Sequence, residues 1–122
     1  MSLTLDDNQA KFQIRGYKAG QIQVNEKIYT ESLIISPNHL LEHWGPKNIS
    51  DLTPTHIEIA AQTKPAVLII GTGEKLIFPN IELYGELINQ GIGIEIMDTA
   101  AACRTYTILT AENRRVVAAL IL

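Results

Sequence analysis

Val116-Val117-Ala118-Ala119-Leu120-Ile121-Leu122 is seven apolar residues without interruption. Such a run needs cover on both faces, so it predicts a central or well-covered β-strand. Ala66-Val67-Leu68-Ile69-Ile70 repeats the pattern and is closed by Gly71-Thr72-Gly73. Between the two lies a strand–helix–strand pattern. Asn80 can cap a helix running to Gln90, with Leu83, Tyr84, Leu87 and Ile88 on one stripe and Gly91 placed for its C-terminal turn. A strand from Ile92 to Met97 follows, and its crossover should be right-handed. Asp98 then caps a helix from Thr99 to about Glu112, with Asn113 able to take the left-handed end.

The first half reads differently. Phe12, Ile14 and Tyr17 sit in a polar alternation, and Gly16 suggests a bulge. Ala19-Gly20 and Asn25-Glu26 are turn signals around the alternating Ile22 and Val24. Lys27-Ile28-Tyr29 and Ser32-Leu33-Ile34-Ile35-Ser36 follow, so the stretch predicts an antiparallel meander joined by short connections. Pro37 to Ser50 reads as a loop. Thr53 as N-cap, Pro54 at the first helical position and a Leu52–Ile57 staple predict a helix to about Gln62. The pattern is α/β: one mixed sheet with helices packed on it, an N-terminal meander and a C-terminal βαβ unit.

The 122 residues fit a single domain over 1–122. A composition 46% hydrophobic and 19% charged is that of a globular chain. Ten basic residues are scattered, the only adjacent pair is Arg114-Arg115, and the net charge is −3. Nucleic acid is therefore not the expected partner. Cys103 is the one cysteine, which excludes an intramolecular disulfide. No apolar run reaches the ~18 residues of a membrane span. Met1 to Lys11 carries Asp6 and Asp7 and resembles neither a secretory nor a transit peptide. A cytoplasmic location is expected, with no cofactor.

Ligands of open α/β sheets gather beyond the carboxyl ends of parallel strands. Two loops belong there, Gly71-Thr72-Gly73 and Asp98-Thr99. The first lacks the third glycine of a dinucleotide fingerprint, since Leu76 stands there, and no Gly-Lys-Ser/Thr follows. It is either a tight turn or a backbone anion site. On the helix after Asp98, Ala101, Ala102, Thr105, Ile108 and Leu109 form one stripe. Cys103, Tyr106, Thr107 and Thr110 lie roughly opposite, on a weakly polar face that should meet the loop region, another strand layer or a partner.

Cys103 sits early in that helix, where the dipole lowers a thiol pKa, yet no histidine neighbours it in sequence. It is either an inert buried thiol or a reactive one. Asp98 is an N-cap or a functional carboxylate. Arg104, Arg114 and Arg115 suit salt bridges or anion pairing. His39 and His43, with Glu42, are spaced as metal ligands on a helix can be, but Pro37 and Pro46 leave only about two turns. A surface loop is the expectation, with no metal and no catalytic set, and Trp44 anchoring the loop to the core.

Leu68-Ile69-Ile70-Gly71-Thr72-Gly73, the run Glu95-Ile96-Met97-Asp98-Thr99-Ala100-Ala101-Ala102-Cys103-Arg104-Thr105-Tyr106, and Arg114 to Leu120 resemble one family. It is the single-domain family of unknown function that includes a mitochondrial complex I assembly factor and an adipogenesis-associated protein. The resemblance implies a three-layer α/β fold around a central mixed sheet. It carries no established catalysis, and its mitochondrial member acts as an assembly factor with a protein partner. Thr107 stands where that family commonly has asparagine, and Asn113 where it commonly has glycine. A bacterial-type member is expected.

Two functions compete. The first is a non-enzymatic protein-interaction or assembly-factor-like module with a protein partner, or a second copy of itself. The second is a small-molecule or anion site, of a binding protein or an enzyme, built from Gly71, Thr72, Gly73, Asp98, Thr99, Cys103 and Arg104. Tyr106 belongs to the same candidate surface.

Overall fold

The computed structural model describes residues 8–122; Met1 to Asp7, where Asp6 and Asp7 fall, lie outside the described residues. Strands β1 (Ile14–Lys18), β2 (Gln21–Val24) and β3 (Lys27–Tyr29) form an antiparallel three-stranded sheet in chain order. The register slips between Ile14 and Gly16, the bulge that Gly16 suggests. Asn25 turns the chain after β2 at φ 52°. Its side chain accepts from the Gln13 N–H and donates to the Lys11 carbonyl, both at 3.0 Å.

The meander stops there. Strand β4 (Leu33–Ile35) joins a second sheet, where it pairs antiparallel with the short β5 (Leu40–Leu41) and with β8 (Val116–Ile121). All three β4 side chains are buried. A strand with no polar alternation needs cover on both faces, and an outer meander cannot give it. Strand β6 (Val67–Thr72) runs parallel to both β8 and β7 (Gly93–Met97), and the order is β5-β4-β8-β6-β7. β8 is thus the central strand, and every one of its residues is buried.

Alternate residues divide the sheet into two cores. Ile34, Leu68, Ile70, Val117, Ala119 and Ile121 face one side, covered by α1 (Pro54–Ala60), α2 (Gly85–Asn89) and Trp44. Leu33, Ile35, Ile69, Ala118 and Leu120 face the other, covered by α3 (Thr99–Ala111). Ile22 and Val24 of the small sheet belong to this second core, so that sheet closes over α3. The fold is a three-layer α/β arrangement around a mixed sheet. Each fully buried Leu or Ile stabilises it by about 1.5–3 kcal/mol.

Three local expectations are corrected. The helix expected from Asn80 to Gln90 is split into a 3-10 turn, Ile81–Leu83, and α2. Asn80 caps the turn, its side chain accepting from the Glu82 N–H at 2.9 Å, and Ile88 is exposed rather than part of the buried stripe. The face of α3 turned inward is Thr99, Ala102, Cys103, Tyr106 and Thr110, while Ile108 is 57% exposed. This is about a third of a turn from the stripe centred on Thr105. The helix has cover on two sides, and its largest side chain, Tyr106, takes the seam between them. The stretch Pro37 to Ser50, read as a loop, holds the two-residue strand β5; His39 and His43 flank it, and His43 pairs with Glu31.

The remaining signals match. Thr53 caps α1, accepting from the His56 N–H at 3.3 Å. Trp44 is buried and donates its indole N–H to the His56 carbonyl at 3.1 Å, tying the loop to the core. Asn113 takes φ 60°, the conformation a glycine would hold there.

Candidate interaction site at the strand ends

The carboxyl ends of β6, β7 and β8 and the start of α3 do converge, and they converge on one another. Gly71 has no room for a side chain. A Cβ there would lie 2.9 Å from both Leu120 Cδ2 and Thr99 Oγ1, and 3.2 Å from Ala102 Cβ. The glycine lets the first turn of α3 settle directly on β6 and β8. Gly73, at φ 101°, turns the chain away from the sheet.

Thr99 is the knot. Its hydroxyl accepts from the Gly73 N–H at 2.8 Å and donates to the Ile121 carbonyl at 2.5 Å. Its backbone N–H donates to the Gly73 carbonyl at 2.9 Å. One buried residue therefore joins the ends of β6 and β8 to the helix start. Asp98 caps that helix, its Oδ1 accepting from the Ala101 N–H at 2.8 Å. The donors that a helix N-terminus could offer an anion are largely committed within the chain: Thr99 to Gly73, Ala101 to Asp98 Oδ1, Ala102 to Asp98 O.

Cys103 and Tyr106 lie under the small sheet, where "another strand layer" meets the weakly polar face of α3. Burial pushes the Cys103 thiol up to about 12, against a smaller lowering by the Arg104 charge. A thiol so shifted is neutral at physiological pH and a poor nucleophile. Tyr106 is fully buried, and its hydroxyl donates to the Phe12 carbonyl at 2.8 Å. Burial raises its pKa as well. Arg104 and Thr107 reach the rim, Arg104 exposed and Thr107 donating its hydroxyl to the Cys103 carbonyl at 3.1 Å. Among the described residues no group of three or more His, Cys, Asp or Glu gathers to hold a metal.

Sequence reasoning missed two features. Tyr17, on β1, has a buried hydroxyl without a hydrogen-bond partner among the described residues. Its pKa is raised by burial first, then by the negative forms of Cys103, Glu74 and Asp98. The other is the loop after Gly73. Leu76, Ile77 and Phe78 are 51%, 47% and 67% exposed, and Ile81 is 62% exposed. Four large apolar side chains within six residues thus stand in water. Thr72 holds the loop in this shape: its hydroxyl donates to the Lys75 carbonyl at 2.6 Å and accepts from the Ile77 N–H at 3.2 Å. The signal for this was in the sequence. Leu76-Ile77-Phe78-Pro79 fits neither a strand of the sheet nor a helix start, so its apolar side chains had no evident core to enter.

Fold and site together define a three-layer α/β domain that knots its strand ends internally and projects an apolar loop from them. The chain belongs to the family described as a protein of unknown function (DUF498/DUF598), whose family model matches residues 14–121. It is similar to the "13 kDa major membrane protein" of Francisella tularensis subsp. holarctica, at 31% identity over 95% of each chain. It is also similar to NADH dehydrogenase [ubiquinone] 1 alpha subcomplex assembly factor 3 of Danio rerio, at 29% identity over 88% of this chain. It spans 63% of that relative's length. The NMR structure of a Xanthomonas campestris protein superposes with a TM-score of 0.83 at 38% identity, over 91% of this chain and 84% of the other. Among the described residues no helix is long and apolar enough to cross a membrane.

Proposed function

We propose that the chain is a non-enzymatic protein-interaction module of the assembly-factor kind, and that it docks its partner through Leu76, Ile77, Phe78 and Ile81. The exposure of those four side chains carries the proposal. Clustered apolar groups in water mark interaction surfaces, and aromatic residues dominate binding energy at such surfaces. The Thr72 brace supports the same reading, because an ordered loop loses less entropy on docking. The kinship with an assembly factor supports the class of function. The Gly71–Gly73 and Asp98–Arg104 residues act in it as a scaffold that positions the loop. A cytoplasmic setting goes with this reading, and fractionation of native cells tests it.

The decisive experiment compares the native chain with the Phe78→Ser/Ile81→Ser variant in affinity enrichment from native cells. The expected outcome is a partner recovered in stoichiometric amount with the native chain and lost with the variant, while the thermal midpoint is unchanged or raised. Recovery of the same partner by both chains, or of no specific partner by either under conditions that preserve complexes, contradicts it. Light scattering on the purified chain separates a second copy from a different protein.

A further inference from the structure

At the end of the sheet remote from the apolar loop, where β6 and β8 begin, a cleft of about 390 Å³ opens. Three turns frame it: Pro37–His39 between β4 and β5, Thr63–Pro65 before β6, and Asn113–Arg115 before β8. Its floor is apolar, made by the buried Val116, Val117 and Pro65. We propose that this cleft binds a small organic anion, with a phosphate or carboxylate group at the arginine rim and an apolar body on the floor.

Charge is the first argument. His39, Arg114 and Arg115 line the cleft, and among the described residues no Asp or Glu does. In a chain with 13 acidic and 10 basic residues, two adjacent arginines with no described carboxylate beside them make an uneven wall. The second argument is availability. The Arg114 guanidinium and the His39 ring take part in no hydrogen bond or ion pair among the described residues, so both are free to meet a ligand. Arg115 donates Nη1 to the Lys64 carbonyl at 3.0 Å, which fixes its head at the rim with its other donors unspent.

The third argument is preorganisation. Lys64 and Asn113 both hold positive φ, at 52° and 60°: Asn113 on the turn that bears both arginines, Lys64 on the turn whose carbonyl holds the Arg115 head. The Asn113 and Arg114 N–H groups donate to the Thr110 and Leu109 carbonyls at 3.0 Å, which closes the end of α3 and occupies carbonyls that would otherwise repel an anion. Across the cleft, Ser36 Oγ accepts from the His39 N–H at 3.1 Å and holds that turn. The volume lies in the range of small-molecule sites, and a half-apolar lining suits a ligand with a hydrocarbon or aromatic body.

The test is a titration of the ¹⁵N-labelled full chain, followed by amide chemical shifts, with phenyl phosphate, benzoate and inorganic phosphate as probes. Saturable shifts are expected at residues 36–39, 63–64 and 113–117. The apolar floor should make phenyl phosphate bind about tenfold tighter than inorganic phosphate. Whichever of phenyl phosphate and benzoate binds tighter names the head group. Arg114→Gln with His39→Gln, both at exposed positions, should weaken binding by about tenfold or more with the spectrum otherwise retained. Absence of saturation by phenyl phosphate and benzoate up to about 10 mM overturns the proposal. So do shifts confined to residues 74–81, unchanged affinity in the double variant, or inorganic phosphate binding as tightly as phenyl phosphate.

Discussion

One methyl group at position 71 would meet Leu120, Thr99 and Ala102 at once. The Leu120 methyl is fully buried with nowhere to swing, and Thr99 Oγ1 and Ala102 Cβ sit one or two bonds from the α3 backbone, so relief requires moving α3. Gly71→Ala should therefore destabilise the fold by about 2 kcal/mol, read as a lower urea midpoint with an unchanged slope. The sequence marks Gly71 as a turn residue, whereas its role is close approach. That role depends on what lies across the sheet, which local pattern does not contain. Cys103 is the second residue-scale case. Its thiol keeps its proton to about pH 12 in the fold but loses it from an ordinary value of 9.0 once unfolded. Above pH 9 the unfolded chain binds fewer protons than the folded one, so stability falls as pH rises, at up to about 1.4 kcal/mol per pH unit from this group. The raised Tyr17 and Tyr106 add to the fall above pH 10. Urea melts from pH 8 to 10 should show this decline, and Cys103→Ala should flatten it most between pH 9 and 10. In the native chain below pH 8, a thiol reagent should modify Cys103 only at the rate of unfolding.

At the scale of elements, the start of α3 was legible and its orientation was not. Asp98 and Asn113 mark the two ends of the helix by side-chain chemistry that needs no tertiary partner. Which face turns inward depends on having two layers to satisfy, the central sheet and the small one. A strong apolar stripe would have been decisive, but α3 is mostly Ala and Thr, and the burial of Tyr106 settles its rotation. The same limit hid the departure of β4 from the meander. Thr99 tests the importance of the knot. Thr99→Val keeps the volume but removes the acceptor for the Gly73 N–H and the donor to the Ile121 carbonyl, both at buried sites. The expected loss is about 2–4 kcal/mol, measurable by denaturant melts, with faster amide exchange at Gly73. If stability changes by less than about 0.5 kcal/mol, the strand ends are not held by this residue.

Over the whole molecule, the architecture follows from the apolar runs. β6 and β8 announce themselves as buried on both faces, and with short hairpins before them they leave a mixed sheet as the natural solution. The proposed docking surface was only half visible. At the strand ends the groups with recognisable chemistry, Asp98, Thr99 and Cys103, are spent on holding the fold. On the proposed reading the groups that face a partner are the plain hydrocarbons of Leu76, Ile77, Phe78 and Ile81, which carry no catalytic motif to recognise. Hydrogen exchange measures the claim most directly, comparing amides of the chain alone and in the complex recovered with its partner. The account predicts slowed exchange concentrated at residues 74–83, with the knot at Gly73 and Thr99 already protected in the free chain. Protection that leaves 74–83 unchanged and falls on another surface would contradict it.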